Sequence, residues 1–286
     1  MDMLSIAGLR KSVRNFTQKT FDENTKTEIL DFFTKCERLD ESIKTEIKLF
    51  DKKDLPKEAE ENGGYNGFLI DAPHYIAIYS EKKTCFIENA GYMGEGIIFK
   101  LTSMGIDSCW ITLKQEYVIS EPDNNMRLTG LIAAGYGEKF KNPKIINKMI
   151  WGKGYDNLKV INIDTDNKAR KEVTEIVYMN EYGNNITIDE LVSSGIEEGF
   201  YAARHAPSAL NRQPWRFILD NEFVVLIIKK DEFTNIYEAK IDAGAVMFNF
   251  AAVITERVFK IKWLVAEPEK DYKIPNDCAI AAYCHI

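Results

Sequence analysis

Ala206-Pro207-Ser208-Ala209-Leu210-Asn211-Arg212-Gln213-Pro214-Trp215-Arg216-Phe217 is the stretch on which the fold turns. Read as backbone, it is a helix stopped by Pro207, a turn closed at Gln213-Pro214, and a strand opening at Trp215. That reading does not explain why Ser208, Asn211 and Gln213, three side chains with hydrogen-bonding heads, crowd into one turn. Upstream, Thr187-Ile188-Asp189-Glu190 has the spacing of a capping box, in which threonine and glutamate satisfy orphan amides at a helix start. A long helix through Leu191, Ile196, Phe200 and Ala203 is expected to follow it. Downstream, residues 215–219 and 223–228 read as two strands.

The same succession of helix, strand, strand and helix is legible earlier in the chain. Apolar positions Ile29, Leu30, Phe32 and Phe33 predict a helix over 25–36, and 45–50 and 75–79 read as strands. A helix over 87–103 then turns Ala90, Met93, Ile97, Ile98 and Leu101 to a core, and strand-like pieces follow at 109–111 and 130–134. Ile87-Glu88 and Met93 recur as Ile241-Asp242 and Met247 at one constant offset, each opening a long helix, and Trp110 and Trp263 nearly keep it. The region 139–166 is lysine-rich and irregular, 170–178 closes the first part, and Asn184-Asn185 marks a linker. The division expected is a first half over 1–180 and a shorter second half over 181–286, packed closely together.

Composition narrows the function classes. The 286 residues are 45% hydrophobic, 28% charged and 12% aromatic, which is ordinary for a globular protein. A net charge of −7 argues against nucleic acid, whose phosphate backbone needs a basic face. Five scattered cysteines without a C-x-x-C pair read as reduced thiols, and the three histidines have no zinc-site spacing, so no metal is expected. No apolar span reaches membrane length, and a cytoplasmic location is the simplest expectation. No nucleophile with a histidine–acid partner stands out: Ser12 and Ser208 lack one, and His205 has no evident carboxylate. Trp110, Trp215, Met93 and Met247 read as core.

Three segments carry a resemblance. Arg10-Lys11-Ser12-Val13-Arg14-Asn15-Phe16 resembles the arginine-rich opening of the nitroreductase flavoprotein family, and the Ala206–Phe217 string resembles its second signature. Lys168-Ala169-Arg170-Lys171, followed by Glu175-Ile176-Val177-Tyr178, resembles the basic segment and strand near that family's C-terminus. The single-chain type is the closest likeness, because the Ala-Pro-Ser string is missing from 36–44 in the first half and stands in the second, which lacks an arginine string. In family dimers the two signatures of a flavin site come from different subunits.

The resemblance implies an α+β, nitroreductase-like fold with mixed or antiparallel central sheets flanked by helices, duplicated in one chain so that it mimics a dimer. It implies one FMN, held by Arg10, Lys11, Ser12, Arg14, Lys168, Arg170, Pro207, Ser208, Asn211 and Gln213. The arginines and lysines would take the phosphate, and the hydroxyl and amide groups the ribityl chain and ring. Lys139 and Lys141 are an alternative phosphate pair in poorer surroundings, and Asn66 is a candidate ring contact. The implied activity passes hydride from NADH or NADPH to a small electron-poor acceptor such as a nitroaromatic or quinone, with no assigned catalytic side chain. The alternative is an FMN-binding storage or sensor protein with little turnover. A monomer is expected, with the family's usual subunit interface inside it; whether the 139–166 insert covers the substrate face is left open.

Overall fold

The computed structural model describes residues 1–65, 68–121, 126–138, 144–146, 159–161 and 170–286. The expectations for Asn66, Lys139, Lys141, Lys168 and most of the 139–166 insert therefore lie outside the described residues. The first half runs α1 (Met3–Leu9), α2 (Glu23–Phe33), β1 (Thr45–Asp51), α3 (Lys57–Asn62), β2 (His74–Glu81), α4 (Phe86–Ser103), β3 (Asp107–Ile111), α5 (Gln115–Ile119) and β4 (Met126–Gly135). Its four strands form an antiparallel sheet in the order β1-β2-β4-β3. Two short strands, β5 (Lys144–Ile146) and β6 (Lys159–Ile161), pair with each other.

The rest of the chain runs α6 (Val173–Ile176), β7 (Val177–Met179), α7 (Ile188–Ser193), α8 (Glu197–Arg204), β8 (Trp215–Leu219), β9 (Phe223–Lys229), α9 (Ile236–Arg257), β10 (Trp263–Leu264) and β11 (Cys278–His285). The second sheet has the order β10-β11-β9-β8-β7, and its edge strand β7 is parallel to β8, with Val177 opposite Phe217. The architecture is α+β, with one antiparallel and one mixed sheet flanked by helices. β7 lies before residue 180 yet hydrogen-bonds into the sheet formed by later residues, so the chain's first part hands its last strand across.

The capping box at Thr187 forms, with Glu190 N–H on Thr187 Oγ1 (3.2 Å) and Thr187 N–H on the Glu190 carboxylate (2.8 Å). The single long helix expected after it does not: the chain makes two short helices, broken where Gly195 turns to φ 69°. A side chain is strained at that angle and glycine is not, so the residue ends α7 and re-aims α8.

The two long helices meet face to face. Fifteen of the 18 residues of α4 are buried, so it is covered on nearly every side. The close crossing depends on glycine: a Cβ on Gly244 would overlap the Glu88 carbonyl and come within 2.6 Å of Tyr92 N and 2.8 Å of Gly91 Cα. Gly91 in turn lies against the Ile241 backbone. Around this crossing the cores interpenetrate, with Tyr237 and Ile241 of α9 joining the first-half core and Ile6, Ala7, Tyr92 and Phe99 joining the second. Each large aliphatic or aromatic side chain so buried contributes roughly 2 kcal/mol. Among the described residues no helix is long and apolar enough to cross a membrane.

Candidate functional site

Helix α1 ends in Arg10, and the residues after it run beside β3: Val13 N–H donates to the Ser108 carbonyl (2.9 Å), and Ser12 bridges Ser108. Val13 and Phe16 fill the core, while Ser12 and Arg14 face a cleft. Lys11 is exposed. Arg10 is buried, and its Nη1 donates to Ser12 Oγ (3.3 Å).

The opposite wall is the turn after α8. Leu210, Asn211 and Gln213 all adopt left-handed backbone, with φ of 51°, 58° and 51°. Outside glycine that conformation is disfavoured, so a turn holding three such residues needs ties. Ser208 Oγ accepts from Gln213 N–H (2.9 Å), and the Gln213 side chain donates to the Asn211 carbonyl (3.1 Å) and accepts from Lys171 N–H (2.9 Å). The crowding of polar side chains in this turn thus has a structural cause. Pro207 and Ser208 line the cleft; Gln213 is buried as a strap, and Asn211 is exposed and does not line it.

The cleft spans about 600 Å³, part of it open to solvent at the mouth. Ser12 and Arg14 from the first half and Pro207 and Ser208 from the second wall the same space. Behind it three arginines converge. Arg10 Nη2 donates to the His205 carbonyl (3.4 Å), and Arg170 donates to the Ala206 (2.7 Å) and His205 (3.3 Å) carbonyls. Arg204 comes from the end of α8 and pairs with Glu172 (3.3 Å). Burial and the neighbouring cations hold His205 down to about 4, and burial and Arg10 pull Arg170 down to about 10.

Four groups at this site were not singled out from the sequence. Glu95, on α4, is fully enclosed: its Oε1 lies 3.8 Å from Arg10 Nε, and its Oε2 accepts from Trp110 Nε1 (3.2 Å). Burial pushes its carboxyl up to about 7, against the pull of Arg10. Asp242, on α9, accepts from Ala209 N–H (3.1 Å), and burial and nearby carboxylates raise it well above the usual range. Glu238 closes the capping box that starts α9 and also accepts from Thr112 Oγ1 (2.9 Å) and Tyr65 Oη (3.3 Å). An acid within an apolar helix face was the available signal, since the internal offset that pairs Ile87 with Ile241 pairs Glu88 with Asp242 and Glu95 with Asn249. Trp110, read as core, is only half-buried; it packs on Gly94 and Gly130 and also lines the cleft.

The place corresponding to this cleft in the other half is built differently. There Cys36 Sγ lies on the Met93 carbonyl (3.4 Å), the Leu39 and Asp40 amides donate to Asn89 Oδ1 (2.8 and 3.1 Å), and Lys240 pairs with Glu88 (2.7 Å). The 36–44 segment is thereby tied onto α4.

Comparison with known proteins gives a consistent likeness. A Thermotoga maritima structure described as a putative nitroreductase superposes with a TM-score of 0.58 at 18% identity, covering 100% of this chain and 94% of that one. A Clostridium difficile nitroreductase family protein (TM-score 0.39, 17% identity) covers 49% of this chain and 87% of its own length. A Bacteroides fragilis nitroreductase solved with bound FMN (TM-score 0.40, 16% identity) covers 54% of this chain and 100% of its own. No functionally curated protein matches by sequence. The model of the family described as "Putative TM nitroreductase" matches residues 3–254, nearly the whole chain, and the protein belongs to that family.

Proposed function

We propose that the protein is an FMN-dependent oxidoreductase with a single flavin site composed jointly by its two halves, passing hydride from NADH or NADPH to a small electron-poor acceptor such as a nitroaromatic or quinone. The observation that carries this reading is that the arginine string of the first half and the Ala-Pro-Ser turn of the second wall one cleft. The residues suit the cofactor. Arg10 Nε, behind the cleft, is buried without a hydrogen-bond partner and lies 3.8 Å from Glu95 Oε1, so this guanidinium is not fully satisfied by the protein. Arg10, Arg14 and Arg170 would hold the phosphate and the exposed Lys11 would add charge, while Lys168 lies outside the described residues. Ser12 and Ser208 offer hydroxyls, Pro207 shapes the wall, and Gln213, with Asn211, fixes the turn that presents Ser208.

When bound, FMN supplies the acceptance and donation of hydride. The chain's own residues orient it and exclude water. Asp242, whose carboxyl burial raises well above the ordinary range, ties α9 to the turn through Ala209 N–H at the cleft wall, while Glu238 is engaged with Thr112 and Tyr65. The pairing of one half's arginines with the other half's turn also supports a chain that mimics a dimer, with the duplicate boundary near 180. The test is an absorption spectrum of the FMN-loaded protein under anaerobic titration with NADH and then NADPH. Bleaching of about one flavin per chain is expected; flavin that binds and stays oxidised would replace catalysis with storage or sensing.

A further inference from the structure

Glu95 has no part in the reading above, and a fully buried carboxyl beside a pocket built for an anion needs a reason. We propose that Glu95 is the resident counter-anion of the arginine pocket, and that a phosphate-bearing ligand binds with uptake of a proton by the Glu95 carboxylate. The proposal rests on the flavin reading for the identity of the ligand. The step is a protonation alone: carboxylate plus a solvent proton gives carboxylic acid, and nothing is oxidised or reduced.

The geometry is that of a pair held by field rather than by a hydrogen bond. Arg10 Nε and Glu95 Oε1 are 3.8 Å apart with side chains 4% and 0% exposed, and neither atom has a hydrogen-bond partner. Arg10 reaches Ser12 Oγ on the cleft wall, so a ligand at that wall and Glu95 address the same guanidinium. The internal repeat shows that the helix does not require an acid here. At the matching place on α9 stands Asn249, a neutral amide donating to the Ala202 carbonyl (3.0 Å), in the half that has no arginine string. The acid accompanies the arginines.

Every packed element contributes to the field at Glu95. The end of α1 supplies Arg10, the segment before α6 supplies Arg170, and β3 supplies Trp110 and Cys109, the latter also beside Arg14. The end of α8 supplies Arg204 and His205, which share the cluster with Arg10 and Arg170, and α9 supplies Asp242. From β2, Ile78 packs against Gly94, the residue before Glu95. Burial raises the Cys109 thiol and holds His205 down to about 4, so neither changes charge near pH 7; it also raises the Asp242 carboxyl well above the ordinary range and pushes Glu95 up to about 7. A phosphate placed beside Arg10 takes over the attraction that favours ionised Glu95 and repels what remains, so binding raises its proton affinity further.

The test uses the full chain freed of flavin. FMN and riboflavin binding is followed by flavin fluorescence from about pH 7 to 9, and proton uptake by calorimetry in buffers of different ionisation heat. Because the phosphomonoester is essentially dianionic above pH 7, FMN affinity is expected to fall up to about tenfold per pH unit, with proton uptake. Riboflavin should show neither effect, and Glu95→Gln, or Glu95→Asn if the first does not fold, should make FMN binding flat and proton-neutral. Tight FMN binding without proton uptake, or an unchanged slope in the folded variant, overturns the proposal. If no flavin binds at all, the flavin reading fails separately. Titration with sulfate, a dianion throughout this range, then decides: proton uptake abolished by Glu95→Gln sustains the counter-anion role, and its absence ends it.

Discussion

Ser208 shows how the site is held at the scale of single residues. Its hydroxyl accepts from Gln213 N–H across a turn with three left-handed residues, and it faces the cleft. Ser208→Ala should lower stability by about 1 kcal/mol and weaken FMN, measured by urea unfolding and fluorescence quenching. His205 makes a different prediction. Its folded value, about 4, lies below the ordinary histidine value, so its contribution to stability is full above about pH 6.5 and is lost as pH falls toward 4. His205→Gln should flatten that acid limb in unfolding curves at about pH 7 and pH 4.5; an unchanged limb would assign it elsewhere. The Ala-Pro-Ser string stood out in the sequence for its polar residues, but which of them line the cleft and which tie the turn was not legible. Whether Asn211 or Ser208 turns inward depends on left-handed backbone that no periodicity reports. Glu95 was invisible for another reason, since an acid in a helix is by default solvated, and only packing on all sides of α4 reverses that.

Among elements, the α4–α9 crossing matters most. Gly244→Ala would push a methyl group into the Glu88 carbonyl and the backbone at Tyr92 and Gly91. With backbone rather than a flexible side chain in the way, the helices must separate, and a loss of about 2–3 kcal/mol is expected. Gly8→Ala, with nothing within 4 Å of the added carbon, is the matched control and should be neutral or slightly stabilising by thermal denaturation. The repeat within these two helices was legible because apolar periodicity and a constant offset are properties of sequence, but Ile241, read as opening the second, lies inside α9, which starts at Ile236. The break at Gly195 was not, because α7 and α8 together keep an apolar stripe that imitates one helix. Nor was the parallel edge strand β7, whose pairing with β8 is set by residues roughly forty positions on, at Phe217 to Leu219.

At the scale of the whole molecule, each core takes in residues from the other's long helix, α1 packs with the second, and β7 completes the second sheet. This internal exchange supports a chain that needs no second copy, and sedimentation should show a monomer. For the same reason, pieces 1–180 and 181–286 made separately should lack fixed tertiary packing, read as weak near-ultraviolet dichroism that recovers on mixing. The proposed flavin site is one that the two halves build together. It is tested most directly by titrating FMN into the flavin-free chain and into Arg14→Ala. One site per chain is predicted, with affinity lowered about ten- to hundredfold by removing the first-half arginine. Two sites per chain, or one site indifferent to Arg14, would contradict a flavin site shared across the two halves.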